Sequence, residues 1–193
     1  MTAVSVEDNE GVDGMTREYF FVSDLHIGGD EQLNILDFEE EFVEFLKSLE
    51  TRENDTELVI IGDAFGLWEF TTAEGVEKFD LLVGDHAQLF EQFRATGERL
   101  KITLIPGNHD YELACYPGFV ERLAEYGIAL EKKVARKKFW IEHGMQRDPS
   151  NYMPDFGNPH ANPVGYFVTH SLVGTRAGSP SVEGTTGSGT YNR

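Results

Sequence analysis

The sequence is short of cysteine, of basic residues and of long apolar runs, and each shortage closes off a class of protein. Cys115 is the only cysteine in 193 residues, so there is no intrachain disulfide and no cysteine-based zinc cluster. A reducing cytoplasm is the expected compartment. Sixteen Lys and Arg stand against 34 Asp and Glu, a formal charge of −18. A nucleic-acid grip draws most of its affinity from neutralising phosphates with Lys and Arg, and attraction to anionic membranes needs the same cations. Neither is an expected partner. Apolar runs such as Leu58-Val59-Ile60-Ile61 reach four residues, far below the ~20 that cross a bilayer as a helix, so no membrane insertion is expected. The first fourteen residues hold no Lys, no Arg and no apolar stretch, and therefore lack both parts of a secretion signal. Residues 1–17 are expected to form a disordered acidic lead-in. So few bases also fit a chain adapted to high salt, where self-repulsion is screened within ~3 Å at 1 M. Ordinary acidity fits equally well.

What is present is enough for a core. Apolar residues make up 40% of the chain and aromatics 12%, which separates it from acidic but aromatic-poor disordered sequences. The length suits one domain that buries roughly 70% of its unfolded surface. Short β-branched and apolar runs alternate with amphipathic stretches, the punctuation of an α/β fold. Tyr19-Phe20-Phe21-Val22 is followed by Ser23-Asp24-Leu25-His26, and Leu58-Val59-Ile60-Ile61 by Gly62-Asp63. Ile102-Thr103-Leu104-Ile105 leads to Pro106-Gly107-Asn108-His109-Asp110, and Phe139-Trp140-Ile141 to Glu142-His143-Gly144. Phe38, Phe42, Phe45, Leu46 and Leu49 share one helical face. Val76, Phe79, Val83, Phe90 and Phe93 mark a second helix, with His86 on its face. Strands that are apolar throughout are expected where both sheet faces are covered.

In open α/β sheets, ligands bind beyond the carboxyl ends of the strands. All four strands place Asp, Asn or His there. Convergence of Asp24, His26, Asp63, Asn108 and His143 would offer oxygen and imidazole donors without thiolate, a set suited to Mn, Fe, Zn or Mg. Taken singly, Asp-Leu-His and Gly-Asp are also ordinary turn sequences. Gly-Asn-His-Asp is more specific: at roughly 5% per residue type, four specified residues arise by chance in about one chain in a thousand of this length.

Asp24-Leu25-His26, Gly62-Asp63, Gly107-Asn108-His109-Asp110 and His143-Gly144 resemble the first four signature blocks of calcineurin-like metallophosphoesterases. Residues 23–28, residues 65–70 and His143-Gly144 are similar to the UDP-2,3-diacylglucosamine hydrolase branch. The resemblance implies the N-terminal part of a two-layer β-sandwich flanked by helices, and two divalent ions, Mn²⁺ first. Asp24 and His26 would hold one ion, Asn108 and His143 the other, and Asp63 would bridge both. A hydroxide bridging the ions would attack a phosphate monoester, diester or pyrophosphate in line, on a small-molecule or nucleotide-type substrate. His109 would act in catalysis and Asp110 would orient it. Metal ions also explain how an acidic chain handles phosphate.

The resemblance has gaps. Family members commonly read Gly-Asp-x-x-Asp, whereas Gly66 stands in the last position here, leaving Glu69 as a substitute partner for the site. Family members also carry a Gly-His-x-His block, which nothing here matches; His160 and His170 are the remaining histidines beyond His143. The expected domain therefore spans 18–170 and is incomplete, as if truncated, with residues 171–193 a disordered Gly/Ser/Thr-rich tail. Four of the seven Pro fall in 148–163, an irregular stretch over the pocket. An impaired metal-binding fragment is the alternative to an active enzyme, with self-association through uncovered apolar surface. Lys132, Lys133, Arg136, Lys137 and Lys138 are read as a solvated hairpin, Arg147 as a surface residue, and Cys115 as a small apolar residue.

Overall fold

The computed structural model describes residues 4–8, 17–30, 33, 36–136, 139–153 and 157–177. The chain runs through β1 (Val4–Asp8), β2 (Arg17–Val22), α1 (Glu39–Glu50), β3 (Asp55–Ile61), α2 (Glu77–Asp85), α3 (Ala87–Gly97), β4 (Lys101–Ile105), α4 (Pro117–Glu125) and β5 (Ile128–Leu130). It then forms a short hairpin, β6 (Val134–Ala135) and β7 (Trp140–Ile141), and ends in α5 (Val164–Ala177). The main sheet has the order β1-β2-β3-β4-β5. Its four successive strands β2 to β5 are parallel, in the register Phe20↔Leu58, Leu58↔Ile102 and Ile102↔Ile128. Parallel pairing brings the carboxyl ends of β2, β3 and β4 to one edge, where Asp24, Asp63 and Asn108 follow.

Side chains alternate along β3 between two different cores. Leu58 and Ile60 face the helices, in one cluster with Ile102, Leu104, Phe42, Leu46, Phe79, Phe90, Phe93 and Phe119. Val59 lies on the other face with Ile105 and Val134, flanked by Phe21, Ile61, Phe139 and Ile141. The α1 face predicted from its spacing is the buried one, with Phe42, Val43, Leu46 and Leu49 inward. Three glutamates in its first turn and Lys47 in its last match the helix dipole. Among the described residues, no helix is long and apolar enough to cross a membrane.

The structure corrects several expectations. The second helix is two, because His86 leaves helical geometry at φ −119° and ψ 38°. Its buried Nδ1 lies 2.6 Å from Glu39 Oε2 on α1, and the chain bends there to make that contact. The fourth strand does not join the main sheet; among the described residues Trp140 and Ile141 pair with Ala135 and Val134. The acidic lead-in is not wholly unstructured, since Val4–Asp8 pairs antiparallel with β2, which would otherwise expose an unpaired edge. Residues 171–177 belong to α5, and the rest of the expected tail lies outside the described residues. The hairpin covers part of the far face of the sheet, where Val59 and Ile105 are fully buried, while Trp140, Val164, Phe167 and Val168 stay exposed.

The basic hairpin is solvated only in part. Lys132 and Lys133 are exposed, with the Lys133 ammonium 4.2 Å over the Trp140 ring, and Lys137 and Lys138 lie outside the described residues. Arg136 instead reaches down to Glu57 Oε1 at 2.5 Å and Oε2 at 3.3 Å. Glu57 is only 3% exposed; Thr103 Oγ1 donates to it at 2.8 Å and Lys101 Nζ lies 3.3 Å away. Burial opposes its charge, but Arg136, Thr103 and Lys101 outweigh that and hold its pKa below the ordinary 4.5.

Arg136→Ala leaves a buried carboxylate without its main partner, and chemical denaturation should show a loss of about 3 kcal/mol. A depressed folded-state pKa means that the Glu57 contribution is present above pH 4.5 and is lost as pH falls through the lower folded value. Acid titration of unfolding should therefore show a destabilising limb below pH 4.5 that is diminished in Glu57→Gln.

Candidate metal centre

The loops that leave β2 and β3 continue side by side. Asp24 N donates to Gly62 O at 3.2 Å, His26 N to Asp63 O at 2.9 Å and Ile27 N to Ala64 O at 2.9 Å. Asp24, His26 and Asp63 hold φ of 55°, 48° and 51°, and they are the non-glycine residues with positive φ among those described. Left-handed backbone costs an ordinary residue roughly 1–2 kcal/mol, and strain of this kind gathers at functional sites. Here it falls on three of the five residues that the sequence singles out as metal ligands.

The strained turns are held by a carboxylate from the next loop. Asp110, fully buried, accepts hydrogen bonds from Asp63 N (3.3 Å), Ala64 N (2.7 Å), Phe65 N (3.3 Å) and Gly107 N (2.6 Å). Asp63 Oδ1 in turn accepts from His109 N at 2.8 Å. Gly107 permits this approach, since a Cβ there would run into the Asp63 carboxylate, and a Cβ on Gly62 would enter the His143 ring. Burial, then the neighbouring Asp63 charge, pushes the Asp110 pKa up to about 7, against the pull of the backbone N–H donors.

The donors converge. Ligand atoms of Asp24, His26 and Asp63 lie within 4.8 Å of one another, and His143 Nε2 is 3.5 Å from Asp63 Oδ2. Together with the buried Asn108 they line a cavity of about 480 Å³. His109, Gly144, Met145, Asp148 and Asn151 complete its wall. Carboxylates and imidazoles at these separations fit a hard or borderline divalent cation. His143 Nδ1 is buried without a hydrogen-bond partner, so this ring is held by packing and by its approach to Asp63.

His109 faces the same cavity with a different partner from the one expected. Its Nδ1 lies 2.8 Å from Glu69 Oε1, while Asp110 spends its oxygens on backbone N–H groups. Asp110 thus pins the loops together, and the carboxylate that meets the His109 ring is Glu69. The substitute role read from Gly66 is where the sequence pointed to it. Trp68, 1% exposed, lies against the His109 ring at 4.4 Å between centroids, and the His26 ring meets it edge-on at 4.6 Å. Burial opposes charging of His109, but the Glu69 hydrogen bond and charge, with Asp63 and Asp110, carry its pKa above the ordinary value.

Other expectations sort by position. His160 is exposed, and His170 packs against Tyr166 at 4.1 Å; neither joins the ligand groups found among the described residues. Arg147 is exposed and does not line the cavity. The irregular 148–163 stretch does reach the pocket, through Asp148 and Asn151. Met145 also lines it and was not legible, since a Met after His-Gly carries no pattern of its own.

Asp110→Ala should leave buried N–H donors without an acceptor and cost about 3 kcal/mol or more. The expected result is a lower unfolding midpoint together with weaker Mn²⁺ binding by calorimetry, although Asp110 is not itself among the donors that converge.

Comparisons with known proteins add a family. The chain is similar to a solved nuclease, MPE, from Pseudomonas putida, at 19% identity over 72% of this chain, with a TM-score of 0.41. The match spans 64% of the nuclease chain. No curated protein matches. The model of the calcineurin-like phosphoesterase family matches residues 19–184, a span that contains every strand-end block described above and continues past His143. The chain belongs to the calcineurin-like phosphoesterase family.

Proposed function

We propose that the chain hydrolyses a phosphate monoester, diester or pyrophosphate at the cavity beyond β2, β3 and β4. The observation that carries this is the convergence of Asp24, His26 and Asp63 beside His143, with His109 on the same wall. Asp24 and His26 would hold one divalent ion, Asn108 and His143 a second, with Asp63 shared between them. Two such ions, Mn²⁺ first among Mn, Fe, Zn and Mg, would polarise the phosphoryl group and supply hydroxide near neutral pH. His109 would stabilise phosphate oxygens or give a proton to the leaving oxygen. No side-chain nucleophile is needed. Cys115 is a poor one in any case, because burial pushes its thiol pKa up to about 11.

The cavity's metal donors and His109 support a phosphoryl group as the part of the substrate bound there. Similarity of residues 23–28 and 65–70 to the UDP-2,3-diacylglucosamine hydrolase branch makes a nucleotide-type pyrophosphate worth assaying beside aryl esters. An alternative is metal binding without turnover, favoured by the lack of a Gly-His-x-His block, which leaves three protein donors per ion when Asp63 is counted twice.

With Mn²⁺ supplied, Asp63→Ala should lose p-nitrophenyl phosphate and bis-p-nitrophenyl phosphate turnover by about 10³-fold or more, while Cys115→Ala keeps it. Equal rates in the two variants would exclude the phosphoesterase reading. Calorimetric Mn²⁺ binding without turnover in the unmodified chain would favour the alternative.

A further inference from the structure

We propose that Glu69 is the positioning residue of His109, and that Gly66 supplies the space from which it works. The inference rests on the phosphoesterase reading for its chemistry but on separate residues for its geometry. Glu69 ends the 3-10 turn Leu67–Glu69, which starts at Gly66 and buries Leu67 and Trp68. Its backbone N donates to Gly66 O at 3.2 Å, and its backbone O accepts from Asp30 N at 3.1 Å. The turn is therefore fixed at both ends, and the side chain is aimed at His109 by the backbone rather than by its own flexibility.

Three contacts then determine the His109 ring. Glu69 Oε1 fixes Nδ1 at 2.8 Å, Trp68 covers one face at 35° between planes, and His26 meets the ring at 83°. With Nδ1 engaged, Nε2 is the nitrogen left for a reacting group. Glu69 makes this contact at a cost, since Oε2 is buried with no hydrogen-bond partner. A buried, half-satisfied carboxylate is costly to keep for packing alone.

Gly66 explains how the acid fits. A Cβ on residue 66 would stand 3.0 Å from Glu69 Oε2 and 3.0 Å from Gly28 O. A methyl there is tighter than most such contacts, so the Glu69 carboxylate must shift by a few tenths of an ångström against a fixed carbonyl on the other side. We therefore read the acid at residue 69 and the space at residue 66 together.

In the reaction, a P–O bond forms to hydroxide and the P–O bond to the leaving group breaks, with the electron pair passing to the leaving oxygen. His109, as the imidazolium, would give that oxygen its Nε2 proton and be left neutral with the Nδ1 proton still held by Glu69, and solvent would restore the Nε2 proton. Glu69 accepts from Nδ1–H, which holds the ring in the plane that presents Nε2. Glu69 does not touch substrate.

Leaving-group dependence tests this. In Glu69→Ala, phenyl or alkyl phosphate turnover, which needs protonation of the leaving oxygen, should fall about 10²-fold. The p-nitrophenyl ester, whose leaving group needs little help, should fall less than about tenfold. Gly66→Ala should reproduce that contrast with the carboxylate still in the chain, and Glu69→Gln, which keeps an acceptor oxygen, should recover part of the loss. A uniform loss across leaving groups would overturn the proposal in favour of a purely structural turn. Glu69 also lies in a group with His26 and His109 whose ligand atoms are within 4.8 Å of one another. Loss of a Mn²⁺ equivalent in Glu69→Ala by calorimetry would make it a metal ligand and overturn the positioning role. Imidazole ¹⁵N shifts in the metal-free protein give a readout independent of turnover. His109 should be Nδ1-protonated in the unmodified chain and a tautomer mixture in Glu69→Ala, and identical spectra would overturn the proposal even if no ester were hydrolysed.

Discussion

One buried carboxylate joins the two loops that carry most of the centre. Asp110 accepts N–H groups from both sides, Asp63, Ala64 and Phe65 after β3 and Gly107 after β4. His109 N closes the ring by donating to the Asp63 side chain. This arrangement makes the left-handed backbone at Asp63 tolerable, because donors that would otherwise be buried and unsatisfied find an acceptor. It also sets the direction of the Asp63 carboxylate, around which His26, Asp24 and His143 are disposed. A strained ligand turn and a buried acid support each other.

The same closeness creates an electrostatic demand. Asp24, Asp63 and Asp110 stand together with imidazoles, and the cavity-lining residues include no Lys or Arg among those described. Asp110 registers the crowding, since its pKa is pushed up by burial and by the Asp63 charge. Divalent cations held by the converging donors would relieve that repulsion, and binding the folded state alone stabilises it by linkage. The overall charge of −18 raises the cost of an empty centre rather than arguing against a phosphate site.

How much of this the sequence reveals depends on the range of the interaction. Strands β2, β3 and β4 are legible because burial on both faces writes continuous apolar runs, and their ends are legible because ligand residues follow at once. His109 and Asp110 are adjacent, so the sequence suggests that they pair, yet adjacent side chains after a strand point apart. Asp110 turns to the backbone of a loop some 46 residues away, and His109 finds Glu69 some 40 residues away. The break at His86 is hidden for the same reason, since the residue its ring meets there, Glu39, lies on another helix. The family resemblance ordered the candidate ligands, and the Gly66 departure pointed to Glu69, but the backbone contacts of Asp110 are long-range and were not legible.

His143 is held differently from the other candidate ligands, and this ties the centre to the far face of the sheet. It follows β7, a two-residue strand outside the main sheet that pairs, among the described residues, with β6 alone. So short a hairpin has little stability of its own. Its attachment comes from Val134 packing on Val59 and Ile105, and from Arg136 clasping Glu57. Glu57 and Val59 lie on the same face of β3, two residues apart, and the strand they belong to ends at Gly62-Asp63. Docking of the hairpin therefore brings His143 to Asp63 from one side while β3 presents Asp63 from the other. An ion bridging those two side chains would stabilise the docked hairpin, and a firmly docked hairpin would in turn lower the entropy cost of assembling the site. By linkage the two effects would be equal in free energy, so a substitution at the Glu57 clasp, remote from the cavity, would act on cation affinity through the position of His143.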